Sequence, residues 1–160
     1  MLRTVVGGSR YENQVIGFAL EFEPRWVVWG RAADMRQDFR DSIAVMEQYG
    51  QEVLLAAHLN NIVGCRVTTE NLNVPVDDYA TVIMDINKSE VDVQRHAAVS
   101  LAGREMIEWE AKHPESGLVF VEYVSLESGF NLRMTFWTHP SLLERYRPEF
   151  RKIVGTMTSI

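Results

Sequence analysis

Two stretches in the C-terminal half of the chain are predicted to form strands with a short turn sequence between them, and the second stretch alternates apolar and polar residues strictly. They cover residues 118–126 and 130–137, and Glu127-Ser128-Gly129 separates them. In the second stretch one face consists of Phe130, Leu132, Met134 and Phe136, and the other of Asn131, Arg133, Thr135 and Trp137. Because successive side chains of a strand point to opposite faces, this alternation predicts an antiparallel hairpin with one face in a core.

Further strands and helices are predicted along the rest of the chain. Strands are expected at residues 14–22, 26–31, 52–59, 62–70 and 91–101. Residues 104–112 are expected to form a strand because Ile107, Trp109 and Ala111 fit one face, and a helix that carries Met106, Ile107 and Glu110 is the alternative. Helices are expected at residues 34–49, from Pro75 onward and after Ser141, where apolar residues recur every three or four positions. Their predicted buried stripes include Tyr79, Val82, Ile83 and Ile86 in the second helix, and Tyr146, Phe150, Ile153 and Met157 in the third. Because helices alternate with antiparallel hairpins, the sequence predicts an α+β fold with helices packed on a mainly antiparallel sheet.

Length and charge restrict the class of protein. A chain of 160 residues is one domain by size and can bury a core. Residues 1–10, which contain Gly7-Gly8-Ser9, are predicted to form a flexible lead-in to a single domain that covers residues 11–160. The net charge of −6 and the scattered Lys and Arg residues predict no nucleic-acid partner.

The same sequence gives an expectation about location. No apolar run approaches the roughly 18–20 residues that a transmembrane helix requires, so no membrane span is predicted. The first residues also lack the continuous apolar segment of a secretory signal. The sequence as printed therefore predicts a cytoplasmic protein, and an exported protein or lipoprotein whose leader is absent from this sequence is the alternative.

No pattern of catalytic, cofactor-binding or metal-ligating residues is found. Cys65 is the one cysteine, which excludes a cysteine-rich metal site, and its apolar neighbours predict a buried position. The histidines lack the spacing of a zinc helix; they are His58, His96, His113 and His139. No nucleophile elbow, P-loop or dinucleotide glycine pattern occurs. Asp77 and Asp78 are explained by stabilisation of a helix N-terminus. The sequence therefore predicts no enzyme activity, no cofactor and no metal.

The aromatic residues of the last hairpin give a candidate binding surface. Trp137 and Arg133 share the polar face of the second strand, and His139 follows directly in the loop before the last helix. Trp and Arg are the residue types that most often dominate binding hot spots. Arg133, Trp137 and His139 are therefore the predicted partner-binding residues. Alternatively, a helix packs on this face, Trp137 is a core residue and Arg133 extends past it to solvent.

Three sequence segments, taken together, carry a resemblance to a known superfamily. They run from Tyr11 through Gly17-Phe18-Ala19-Leu20 to Pro24-Arg25-Trp26, over Val76-Asp77-Asp78-Tyr79, and over residues 146–154. These segments resemble the superfamily of PsbP, the Mog-type Ran-binding nuclear import factor and the bacterial DcrB-like domains. The resemblance covers about residues 11–160 and fits the bacterial or organellar PsbP-like branch. It implies an α/β/α sandwich with about seven antiparallel strands between helices.

The resemblance also implies a class of function. Members of this superfamily act as scaffolds, assembly factors, lipoproteins or chaperones that bind other proteins, so a protein-binding, non-enzymatic domain is expected here. The alternative is a carrier that holds a small molecule or lipid in an apolar pocket, which the seven Met residues could line adaptably. The identity of the partner and the oligomeric state are not indicated by the sequence.

Overall fold

The computed structural model describes residues 4–7, 9–30, 40, 41, 44, 48 and 51–160. In these ranges the chain forms two antiparallel sheets, two α-helices described over their full length and one short 3-10 helix, and residues 40, 41 and 44 are helical as well. The smaller sheet has the order β1-β2-β3-β11, with strands β1 (Thr4–Gly7), β2 (Arg10–Asn13), β3 (Phe18–Glu21) and β11 (Thr158–Ser159). The larger sheet has seven strands in the order β4-β5-β6-β10-β9-β8-β7. Its strands are β4 (Val27–Trp29), β5 (Glu52–Asn60), β6 (Val63–Glu70), β7 (Asp92–Leu101), β8 (Arg104–His113), β9 (Leu118–Glu127) and β10 (Phe130–Thr138).

Tight turns join the long strands of this sheet. The β9–β10 hairpin closes over Ser128 and Gly129, which both have positive φ (49° and 83°). Positive φ at both loop positions matches the right-handed twist of the two strands. The β7–β8 hairpin closes in the same way over Ala102 and Gly103. The predicted C-terminal hairpin is thus confirmed, with its turn one residue shorter than expected.

One face of the larger sheet carries the main core. The helix α2 (Leu143–Gly155) and the smaller sheet pack on this face. The predicted stripe of Tyr146, Phe150, Ile153 and Met157 is buried, and the Phe150 ring stacks on Phe136 at a centroid distance of 4.7 Å. A 3-10 helix (Pro140–Leu142) leads into α2, and Pro148 lies inside α2 without ending it.

Two buried glutamates of β8 bind α2 to the sheet. Arg151 donates to Glu108 from Nε at 2.8 Å and from Nη2 at 2.6 Å. Arg147 donates to Glu110 in the same two-bond arrangement, at 2.6 and 2.9 Å. Arg95 of β7 also contacts both carboxylates. These bidentate pairs fix the position of α2 across the end of the sheet.

The opposite face is partly covered by the helix α1 (Val76–Asn87). Tyr79, Ala80 and Ile83 of α1 pack against a small core with Trp109 of β8. The prediction that Val82 and Ile86 belong to the buried stripe is wrong: Val82 is 50% exposed and Ile86 is 72% exposed. Tyr79, Ala80 and Ile83 share the flank of the helix that faces the sheet, and at 100° per residue Val82 and Ile86 fall outside that flank.

Several other predictions are corrected or lie outside the described residues. Residues 4–7 form a strand paired with β2, where a flexible lead-in was expected. The strand predicted at residues 14–22 begins at Phe18, because residues 14–17 form a turn in which the Asn13 side chain accepts from the amides of Val15 and Ile16. The helix predicted at residues 34–49 lies outside the described residues apart from isolated positions. The α+β class and the seven-stranded antiparallel sheet are confirmed.

Candidate functional site

A buried carboxylate, Glu122 of β9, organises a polar cluster on the face of the sheet that carries α1. Arg133 Nε donates to Glu122 Oε1 at 2.5 Å, and Thr135 Oγ1 donates to the same oxygen at 2.7 Å. Trp109 Nε1 donates to Oε2 at 2.9 Å. Burial alone would raise the pKa of Glu122, but the charge of Arg133 and the hydrogen bonds from Arg133 and Thr135 lower the pKa below its ordinary value. Glu122 is therefore a charged group in the protein interior.

Arg66 of β6 lies beside this cluster and is partly buried. Arg66 is opposite Thr135 in the β6–β10 register, so its side chain is on the same face as Arg133 and Glu122. Its Nε is buried and has no hydrogen-bond partner, and no ion pair to Arg66 occurs among the described residues. Burial, followed by the charge of Arg133, lowers the pKa of Arg66 to about 10. A buried donor without a hydrogen-bond partner, such as Arg66 Nε, is costly in a folded protein.

A cavity of about 170 Å³ opens onto these groups. Arg66, Arg133, Glu122 and Thr135 form its polar side on the sheet. The other side is the C-terminal part of α1 and the following turn, and it contributes Ile83, Met84, Asn87, Glu90 and Val91. The cavity therefore has a cationic wall at the sheet and a largely apolar wall at the helix.

The strand β7 forms a second candidate site, at the edge of the larger sheet. One side of β7 pairs with β8, and no strand in the described part of the chain pairs with the other side. A register shift between Val93 and Arg95 interrupts the first half of the strand. Residues 96–101, with the sequence His-Ala-Ala-Val-Ser-Leu, are regular and contain no Asp, Glu, Lys or Arg.

A groove of about 340 Å³ lies between this strand and α1. Its lining comprises Asp77, Ala80, Thr81 and Met84 of α1, and His96, Ala97, Ala98 and Ile107 of the sheet. The side chains are mostly small, and Ala98 is exposed at the centre of the strand. The β7 edge, defined as residues 96–101 with this groove, thus combines open backbone with a neighbouring recess.

The residues predicted to bind a partner occupy three different settings. Arg133 is largely enclosed and donates to Glu122. Trp137 is partly buried and its indole lies against Gly64, where an added Cβ would be 2.2 Å from Trp137 Cζ2. His139 is exposed, and its Nδ1 accepts from Ser141 N at 3.3 Å, at the start of the 3-10 helix. The structure therefore places Arg133 and Trp137 on one face, with Arg133 engaged in the cluster.

Cys65 and His113, which also have reactive side chains, lie at structural positions. Cys65 is fully buried, as predicted, and burial raises the pKa of its thiol. The His113 ring accepts from Ser116 N in the β8–β9 turn. Among the described residues, no group of three or more His, Cys, Asp or Glu side chains is arranged to hold a metal ion. In the same part of the chain, no helix is long and apolar enough to cross a bilayer.

Sequence reasoning missed Arg66 and Glu122. Both alternate with apolar residues, so each fits the solvent face of a half-buried strand. A weak signal was present, because Arg133 falls on a polar position of the last predicted strand, and Glu122 and Arg66 are each flanked by apolar residues in two other predicted strands. The antiparallel register that brings them together could not be read from the sequence.

Comparison with known proteins bears on the fold. No protein-family model matches the chain, and no curated protein matches it significantly. The solution structure of cyanobacterial PsbP from Synechocystis superposes with a TM-score of 0.64, at 10% identity over 98% of this chain and 95% of that one. The fold is PsbP-like.

Two further solved structures are similar at lower scores. A Pseudomonas aeruginosa protein of unknown function matches with a TM-score of 0.54 and 12% identity, over 64% of this chain and 78% of its own. A Bacteroides thetaiotaomicron protein matches with a TM-score of 0.53 and 9% identity, over 97% of this chain and 49% of its own. This chain thus spans about half of the Bacteroides protein. At such identities the likeness concerns the fold, and the Mog-type and DcrB-like parts of the resemblance stay predictions.

Proposed function

We propose that the protein is a non-enzymatic, protein-binding domain of PsbP type, and that it binds an extended segment of its partner along the β7 edge. A partner strand would hydrogen-bond to the free side of residues 96–101. This mode of recognition obtains affinity from main-chain hydrogen bonds and selectivity from pockets for alternate side chains. The partner is another protein. The proposal is the same for a cytoplasmic protein and for the alternative of an exported protein or lipoprotein.

The open edge of β7 is the observation that carries this proposal. Natural proteins protect long edge strands with charges, bulges or covering elements, because an open edge pairs with other chains. The bulge between Val93 and Arg95 protects the start of β7, but no charged residue follows in residues 96–101. An uncharged and regular edge is expected where pairing is part of the function.

The groove beside the edge supports the same proposal. Side chains of an added strand alternate between the two faces of the sheet, so every second one would point toward α1. Ala98 lies on that face, opposite Ile107, and Ala80 of α1 faces the same groove, so both leave space there. The partner segment would therefore place small or medium apolar side chains in the groove.

Selection from a displayed library of random peptides tests this proposal. We expect the protein to select extended apolar sequences, and we expect Ala98→Lys to weaken their binding at least about tenfold, because a central lysine opposes strand addition. Val82→Lys is the matched control, since Val82 is exposed on the other flank of α1. The control should bind the selected peptides as tightly as the wild type.

Each other outcome contradicts strand addition at β7. Equal binding by Ala98→Lys and wild type would exclude the β7 edge. Loss of binding in Trp137→Ala together with retention in Ala98→Lys would favour the surface predicted from Arg133, Trp137 and His139. Concentration-dependent dimerisation that Ala98→Lys abolishes would mean that the edge pairs with a second copy of the chain.

The alternative of a lipid carrier has less support. The cavity at Arg66 is about 170 Å³, below the roughly 300 Å³ at which pockets for drug-sized ligands begin. The groove beside β7 is larger, at about 340 Å³, but it is open along its length. Neither encloses a long acyl chain.

A further inference from the structure

A small anion would supply the hydrogen-bonding partner that Arg66 Nε lacks among the described residues. Two partly buried arginines, Arg66 and Arg133, lie beside one buried glutamate, Glu122, which accepts hydrogen bonds from Arg133, Thr135 and Trp109. Arg66 donates none of them. Its Nε is buried without a hydrogen bond, and no ion pair to Arg66 occurs in the described part of the chain, so the position of this side chain costs stability. Residues kept at such a cost are characteristic of binding sites.

The walls of the cavity define the chemical class of this anion. The guanidinium of an arginine matches a planar carboxylate through two parallel hydrogen bonds. A dianion is disfavoured, because Glu122 is charged and Glu90 lines the outer side of the cavity. The carbonyl end of α1 is near the same outer side and also repels negative charge. The volume of about 170 Å³ and the contacts with Ile83 and Met84 suit a short apolar tail.

We propose that the cavity between α1 and the sheet binds a short-chain monocarboxylate, with its carboxylate on Arg66 and its apolar tail against the C-terminal part of α1. The cavity and the groove beside β7 share Met84 in their linings, but the groups proposed to bind differ: Arg66 in the cavity, and the backbone of residues 96–101 at the β7 edge. The two sites can therefore fail or succeed independently in experiments.

Titration of the protein with sodium propionate tests this site. We expect a saturable rise in melting temperature that sodium chloride at equal ionic strength and the neutral analogue propionamide do not produce. Succinate, a dianion, should bind more weakly than propionate. We expect Arg66→Met to raise the dissociation constant of propionate at least about tenfold, while Arg145→Met, which removes an exposed arginine of α2, leaves the constant unchanged.

A spectroscopic readout in the wild type makes the test independent of any variant. The Trp109 indole N–H donates to Glu122 inside the cavity, whereas the Trp26 indole N–H donates to Glu149 on the opposite face of the sheet. We expect propionate to shift the Trp109 indole signal in a nitrogen–proton correlation spectrum and to leave the Trp26 signal in place.

Several results would overturn the carboxylate site. One is the absence of a propionate-specific change in both the melting temperature and the Trp109 signal. Another is an equal response to propionamide, or equal affinity in Arg66→Met and wild type. A response to sulfate or phosphate without a response to propionate would also contradict the monocarboxylate assignment.

Discussion

Glu122 shows at the residue scale how a polar group is retained in the interior. Three side chains donate to its carboxylate, and one of them is the buried cation Arg133. The carboxylate is more stable as an anion in the folded state than in the unfolded chain, since its pKa is lowered. Its contribution to stability is therefore present above the ordinary carboxyl pKa and is lost as the pH falls through the lowered value.

Replacement of this carboxylate should be strongly destabilising. We expect Glu122→Gln to lower the free energy of unfolding at neutral pH by about 3–5 kcal/mol, because Arg133 is left without its buried counter-charge. The variant should also lose less stability than the wild type on acidification. Part of the pH dependence of stability should remain, because the pKa of Glu108 is lowered too. Urea unfolding over a pH series measures both effects, with the exposed Glu105→Gln as control. An unchanged acid dependence would contradict this account of Glu122.

Gly64 and Trp137 form a second residue-scale pair. An added Cβ at Gly64 would be 2.2 Å from Cζ2 of the indole, so the ring must move if Gly64 is replaced. We expect Gly64→Ala to lower the free energy of unfolding of the wild type by about 1–3 kcal/mol. The decrease should be smaller when Trp137 is also replaced by Ala. Chemical unfolding of the four proteins in this double-mutant cycle measures the coupling. Additive effects would show that the two side chains do not interact in solution.

At the scale of elements, α2 is positioned by charge as well as by its apolar stripe. Glu108 is buried and accepts two hydrogen bonds from Arg151, while Arg95 supplies a further contact. The pair of Arg25 and Glu23 has the same chemistry at a more exposed position, where the two side chains are 62% and 32% exposed. The buried pair is expected to contribute more to stability than the exposed pair, because an exposed pair is hydrated in both the folded and the unfolded state.

This difference in burial predicts that Arg151→Met and Arg25→Met have unequal effects on stability. We expect Arg151→Met to lower the free energy of unfolding by about 1–3 kcal/mol, because Glu108 keeps only part of its hydrogen bonding. Arg25→Met should have little effect. Thermal and urea unfolding of the two variants give the comparison. Equal effects would mean that the ion pairs of β8 do not hold α2 in place.

The elements that could be predicted from the sequence are those with local signals. The β9–β10 hairpin has alternating residues and a turn sequence, and α2 has a regular apolar stripe, so both were found. The pairing of β11 with β3 was missed, because Thr158 and Ala19 lie at opposite ends of the chain. The exposure of Val82 and Ile86 was missed because periodicity alone does not fix which flank of a helix faces the sheet.

For the whole molecule, the order of strands decides which residues meet. β6 lies next to β10, so Arg66, from the first half of the chain, reaches the cluster that Glu122 and Arg133 form on the last hairpin. The same order leaves β7 at the margin of the sheet, although it lies in the middle of the sequence. The resemblance to PsbP-like proteins predicted the fold class, but neither candidate site could be derived before this order was known.

Hydrogen exchange at β7 tests the central proposal most directly. In the free protein, amides of residues 96–101 that point away from β8 should exchange rapidly, since no described strand pairs with them. On addition of a selected peptide those amides should become protected, while the exposed flank at Val82 should not change. Protection of the outer amides in the free monomer, or no added protection in the complex, would contradict strand addition at this edge.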